Sequence, residues 1–171
     1  MEVSILNGKR ILAVDDEPDI LTVLEGEILD SCPDCKIDKA GTYEAAEKLL
    51  KMVDYDIVIL DIMGVRGFDL LELAVSRKMK VAMLTAHALN PDALKRSFDM
   101  KARAYLPKEK LGEIVPFLED VLKYEFKPGW IRLLLKLDII LTEKFNRFKD
   151  YSGYAFWQEM REKMDPKDLI D

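Results

Sequence analysis

Two hydrophobic periods alternate along this chain. Five short strand-like runs are RILAV (10–14), CKIDKA (35–40), DIVIL (56–60), KVAML (80–84) and ARAYL (102–106). Three of them are nearly continuous Val, Ile, Leu and Met, as expected of strands covered on both faces. Between them, apolar residues recur every three or four positions, the period of a helix with one buried face. The alternation predicts five βα units and a parallel sheet.

The helix boundaries carry their own signals. Residues 18–30 open with an acid-rich turn and Pro18, and Ile20, Leu21, Leu24 and Ile28 share a face. Thr42 is placed to cap a second helix presenting Ala45, Ala46, Leu49 and Leu50. A third spans 68–77. Asn90 and Pro91 open a fourth, with Leu94 and Phe98 four apart. A fifth carries Ile114, Leu118, Val121 and Leu122. Pro116 belongs in its first turn, because an interior proline would break it.

Beyond residue 126 the pattern changes. Lys127-Pro128-Gly129 reads as a stop. A strongly apolar helix is expected over 130–148, with Trp130, Leu134, Leu137, Leu141, Phe145 and Phe148 in step. Tyr154, Trp157, Met160 and Met164 then recur at helical spacing, and Asp165-Pro166 is a candidate last turn. About 45 residues cannot easily bury such helices alone. They are expected to pack on the rest of the chain, on each other, or on a second copy. The expected division is therefore residues 1–126 as one α/β domain and 127–171 as a helical extension for interaction or homodimerisation.

Composition narrows the possibilities. The 171 residues are 49% hydrophobic and 34% charged, enough for a core and a soluble surface. The longest stretch free of charged residues, 81–91, is too short to span a bilayer. The N-terminus, MEVSILNGKR, does not read as a signal peptide, so the expected location is cytoplasmic. The net charge is -6: residues 1–123 hold 17 basic and 23 acidic residues, and 124–171 hold 9 of each. Neither part has the basic excess that binding a phosphate backbone needs, so no nucleic-acid partner is expected. Cys32 and Cys35 form one C-x-x-C, half a zinc site or a redox pair. With no second Cys/His cluster they read as two reduced thiols.

The chemistry lies where strands stop. Ligands of parallel α/β sheets bind outside the carboxyl ends of the strands. Asp15 and Asp16 follow the first strand, Asp61 the third (VILDIM), Thr85 the fourth (AMLTAH) and Lys108 the fifth (YLPKEK). Three carboxylates at one edge are tolerable when a hard cation compensates them. Mg²⁺ suits oxygen ligands and bridges carboxylates to phosphoryl oxygens. A lysine and a hydroxyl beside it suit further phosphoryl oxygens, and a carboxylate can become the acyl phosphate.

This set, Asp15-Asp16, Asp61, Thr85-Ala86, Tyr105 and Lys108, resembles the receiver domain of two-component response regulators over residues 8–124. The resemblance implies a flavodoxin-like (βα)5 doubly wound fold with strand order 2-1-3-4-5. It implies Asp61 as phosphoacceptor, and Mg²⁺ held by Asp16, Asp61 and the Met63 backbone carbonyl, with Asp15 acting through water. Thr85 and Lys108 would grip the phosphoryl oxygens and Tyr105 would be the aromatic switch. Met63 and His87 stand where the lifetime of the phosphoryl group is modulated. The implied donor is a sensor histidine kinase or histidine phosphotransfer protein, and the implied output is an unknown partner or the chain's own C-terminal helices.

Two departures from that pattern are visible. In DIMGVRGFDL, Val65 stands where proline is usual, and the loop is about two residues shorter. Glu109 rather than proline follows Lys108. A cis bond there would cost about 3–4 kcal/mol, so either the site supports that strain or the loop is rebuilt. Two rival functions remain: a receiver-like interaction module that needs no phosphorylation, and a Mg²⁺-dependent phosphatase working through an aspartyl phosphate. Haloacid-dehalogenase-type phosphatases need a second Asp two residues after the nucleophile, and that position is Met63.

Overall fold

A computed structural model describes residues 2–165 and 167. The expected last turn at Asp165-Pro166 falls partly outside the described residues. Five strands, β1 (Arg10–Val14), β2 (Lys36–Ala40), β3 (Ile57–Asp61), β4 (Lys80–Thr85) and β5 (Ala104–Pro107), form one parallel sheet in the order β2-β1-β3-β4-β5. That is the order expected for this fold. Five helices connect or follow the strands: α1 (Pro18–Ser31), α2 (Tyr43–Met52), α3 (Gly67–Ser76), α4 (Pro91–Asp99) and α5 (Ile114–Lys123). Two more follow among the described residues, α6 (Phe126–Phe145) and α7 (Ser152–Glu162).

The local signals act as their chemistry suggests. Thr42 Oγ1 accepts from the Ala45 amide, and Asn90 Oδ1 accepts from the Ala93 amide, so both helices start on a side-chain cap. Pro18 and Pro91 each occupy a first helical turn, where a missing amide costs nothing. Every residue of β3 is buried, as are all but the first of β1 and β4. The core therefore lies on both sides of the central strands. Helix α1 packs with α5, and α2 with α3.

Some boundaries differ from the sequence pattern. Strands β3 and β4 each extend one residue further than expected, to Asp61 and Thr85, because the sheet continues to pair there: Asp61 stands opposite Leu84 and Thr85 opposite Pro107. Strand β5 starts at Ala104 rather than residue 102, because the Ala102 amide is taken by Ser97 O at the end of α4. Lys127-Pro128-Gly129, expected to be a stop, is the first turn of α6 instead. The first amides of a helix have no intrahelical partner, so Pro128 loses no hydrogen bond there. Helix α6 ends at Phe145, and residues 146–148, expected to continue it, form a 3₁₀ turn.

The two C-terminal helices pack on the α/β body. Helix α6 lies against β5 and α5, and α7 lies against α4. Trp130 is fully buried and donates from Nε1 to Ala102 O at 2.9 Å. Phe98 of α4 gathers Phe126, Trp130 and Phe156 at ring-centroid distances of 5.0, 5.4 and 5.1 Å. Asp120 of α5 pairs with Lys136 and, at 3.6 Å, with Arg132. One large apolar side chain of α6, Ile139, is left 87% exposed. Among the described residues, no helix is long and apolar enough to cross a membrane.

Candidate functional site

The carboxyl ends of β1, β3, β4 and β5 converge because parallel register aligns them. Val14 pairs with Leu60, so Asp15 follows β1 at the level where Asp61 ends β3. Thr85 ends β4 beside Pro107, and Lys108 is the next residue. Ligand oxygens of Asp15, Asp16 and Asp61 all lie within 4.8 Å of one another. Asp15 and Asp61 are buried and Asp16 is exposed.

One cation faces this cluster. Lys108 Nζ lies 2.9 Å from Asp15 Oδ2, 3.4 Å from Asp61 Oδ1 and 3.5 Å from Glu17 Oε1. Its side chain is 9% exposed. Burial pulls the Lys108 pKa down, but the hydrogen bond and charge of Asp15, with the charges of Asp61 and Glu17, reverse this and raise it. The ammonium therefore stays charged. Burial first, and then the charge of Asp15, push Asp61 up to about 6, against the pull of Lys108. One lysine does not compensate three carboxylates.

The donor set fits a divalent cation. Asp15 Oδ1 accepts from the Glu17 amide at 2.9 Å. Asp15 Oδ2 is buried and faces Lys108 Nζ at 2.9 Å. Three carboxylates whose oxygens lie within 4.8 Å of one another, two of them buried and faced by a single lysine, are a hard-oxygen site of the kind Mg²⁺ or Ca²⁺ occupies.

The shortened loop after β3 takes its path through Gly64 and Arg66. Gly64 has φ +85, and a Cβ there would lie 2.6 Å from the Asp16 carboxylate. Glycine thus lets the loop pass directly under Asp16. Val65, in place of the usual proline, is buried in the core. Arg66 sits in the left-handed region at φ 53 immediately before α3, without a side-chain cap. Its guanidinium lies 4.1 Å from the Tyr43 ring centroid and pairs with Asp69 at 2.9 Å. The Met63 side chain, two residues after Asp61, is exposed. At the other loop there is no cis peptide bond among the described residues. The chain after β5 turns instead into a 3₁₀ segment, Lys108–Glu113. The loop is rebuilt rather than strained.

Thr85 and Tyr105 are both fully buried and face the same backbone. Thr85 Oγ1 accepts from the Ala88 amide at 2.8 Å. The Tyr105 hydroxyl donates to Ala88 O at 2.7 Å and accepts from the Asn90 amide at 3.0 Å. Tyr105 is thus turned inward, under the loop 86–90. Burial drives its pKa upward, so it remains a neutral donor. His87 is exposed in that loop. Cys32 and Cys35 are free, buried thiols. Cys35 Sγ lies 2.8 Å from Leu6 O, and burial together with Cys32 pushes its pKa up to about 11.

Sequence reasoning placed the three aspartates, Thr85 and Lys108 at one edge, and the structure brings them together there. It did not assign Glu17 to Lys108 or Gly64 to Asp16. The signals were the third acid in DDE and a lone glycine in a short loop.

A doubly wound α/β sheet with an acidic pocket and one lysine at its carboxyl edge has its polar residues where such folds bind ligands. The family is narrower. The chain matches the response regulator receiver domain over residues 11–118, and it belongs to that family. It is 34% identical over 127 residues to the two-component response regulator ARR18 of Arabidopsis thaliana, a match covering 70% of this chain and 19% of that protein. The chain thus spans about a fifth of that relative's length. Among solved structures, a CheY-like response regulator receiver domain protein from Methanospirillum hungatei JF-1 superposes with TM-score 0.56 at 24% identity, covering 67% of this chain and 96% of that one. A response regulator from Thermotoga maritima gives TM-score 0.60 at 18% identity, covering 68% and 98%. The phosphorylated cyanobacterial phytochrome response regulator RcpA gives 0.59 at 18%, covering 67% and 94%. These likenesses establish the fold. Receiver domains of two-component systems act as signalling switches.

Proposed function

We propose that Asp61 is the phosphoacceptor of a two-component switch, taking its phosphoryl group from a histidine kinase or histidine phosphotransfer protein. The observation that carries this reading is the packing of three carboxylates within 4.8 Å of one another, two of them, Asp15 and Asp61, paired with Lys108. Asp16, Asp61 and the Met63 carbonyl would hold Mg²⁺, with Asp15 acting through water. When bound, the ion neutralises the carboxylates and the incoming phosphoryl oxygens.

The chain's own residues do the rest. An Asp61 oxygen attacks phosphorus while the bond to the donor nitrogen breaks, leaving an acyl phosphate on Asp61 and the donor histidine free. Lys108 neutralises a phosphoryl oxygen, and the Thr85 hydroxyl, whose oxygen already accepts from Ala88, donates its proton to another. Tyr105 holds the loop 86–90 as that loop adjusts. Residues 1–126 would form the receiver and 127–171 the element it controls. A tail with 9 basic and 8 acidic residues is better suited to contacts with protein than with nucleic acid.

Intact mass after acetyl phosphate and Mg²⁺ tests this. One phosphoryl adduct is expected on the wild type and none on Asp61→Asn. An unmodified wild type would leave the phosphorylation-independent interaction module.

A further inference from the structure

Hydrogen bonds, joined by short stretches of backbone, lead from Thr85 at the edge of the site to the C-terminal helix. Thr85 Oγ1 accepts from the Ala88 amide at 2.8 Å, and Ala88 O accepts from Tyr105 at 2.7 Å. Tyr105 also accepts from the Asn90 amide, and Asn90 caps α4 through the Ala93 amide at 2.9 Å. Pro91 and Asp92, the first residues of α4, then carry the start of α7. Asp92 Oδ1 accepts from the Gly153 amide and, at 3.1 Å, from Ser152 Oγ. Asp92 thus supplies the cap that α7 lacks from its own preceding residue.

This seat has no slack. A Cβ on Gly153 would stand 2.2 Å from Pro91 O and 2.7 Å from the Asp92 amide nitrogen. Backbone rests on backbone, with no side chain between them that could reorient to follow a shift. Further along, the Phe156 ring packs at a tilt against Phe98 at 5.1 Å and Trp157 is buried. A displacement of Pro91 and Asp92 therefore breaks the cap before the aromatic contacts can adapt.

We propose that α7 is a latch on the start of α4, and that its seating is coupled to occupancy of the Asp61 site. Drawing Thr85 and the loop 86–90 toward a phosphoryl group shifts Pro91 and Asp92 and loosens α7. The latch rests on the phosphoacceptor reading above and names what that switch controls. Coupling of this kind is reciprocal. A bound phosphoryl mimic loosens α7, and loosening α7 by substitution tightens the mimic by the same factor.

The test uses the full chain, Mg²⁺ and beryllofluoride. Amide hydrogen exchange across Ser152–Glu162 is measured with and without the mimic, and the mimic's affinity is titrated for wild type, Gly153→Ala and Asp92→Ala. Saturating mimic should speed α7 exchange about tenfold, and each variant should bind the mimic tighter by a similar factor, within the usual range of coupling. Asp92→Ala introduces no collision, so it carries the test if Gly153→Ala does not fold. Binding with α7 exchange unchanged or slowed, and with equal affinity in the variants, overturns the latch and leaves the phosphoacceptor reading intact. Failure of the wild type and both variants to bind the mimic overturns that reading and the latch with it.

Discussion

The carboxylate edge and the α4–α7 seat are held by opposite means. At the edge, like charges are gathered in a buried place with one lysine among them, an arrangement that costs folding free energy. At the seat, aromatic rings and a close backbone contact are satisfied, and Asp92 caps a helix. The first region is poised for a ligand that brings positive charge. The second is complete within the chain. A switch needs both: a place where free energy is released on binding, and a packed surface with something to lose when the first region moves.

Substitutions can break or sharpen this contrast. The largest effect is on chemistry: Asp61→Asn should abolish the phosphoryl adduct seen by intact mass. Trp130→Ala comes next. It removes a fully buried ring and its bond to Ala102 O, and should cost about 3–5 kcal/mol in urea denaturation. The same measurement on metal-free Asp61→Asn should move the other way. Removing a charge whose pKa has risen from 3.8 to about 6 should stabilise the fold by up to about 3 kcal/mol at neutral pH, at about 1.4 kcal/mol per pKa unit. If both substitutions destabilise alike, the two regions do not differ as described.

The pH dependence has a defined sign. In the folded, metal-free protein Asp61 holds its proton up to about pH 6, whereas the unfolded chain releases it near 3.8. Between those values the folded state binds more protons, so this group's contribution to stability falls as pH rises and levels off above 6. Metal binding needs the carboxylate and should weaken as pH drops through 6. Urea denaturation without metal at pH 5 and 7 checks the first sign against Asp61→Asn, which should lack the slope, and calorimetric titration of Mg²⁺ at the same two pH values checks the second. The smallest effect is at the thiols. With its pKa near 11, Cys35 should alkylate about a hundredfold more slowly than an ordinary thiol at pH 8, because only the thiolate reacts. A fast reaction in the native protein would contradict its burial.

Much of the site was legible because each residue sits at a fixed step from a recognisable strand. Asp61 closes IVILD, Thr85 closes KVAMLT, and Asp15 and Lys108 follow β1 and β5. A parallel sheet aligns such positions without further information. The rebuilt turns were not legible. Nothing local says that Gly64 passes under Asp16, or that Lys108 begins a 3₁₀ turn. Nor did the signals around Lys127-Pro128-Gly129 distinguish a break from a first helical turn, since proline suits both.

Periodicity and strand-end chemistry, both local, determined the five βα units, their sheet order through family resemblance, and the candidate ligands. Only the tertiary structure decided that Lys108 meets three carboxylates, that Tyr105 is turned under the loop 86–90, and that Asp92 caps a helix 60 residues away. Those facts depend on which surfaces of distant segments are pressed together, and hydrophobic pattern states that a face is buried without stating against what.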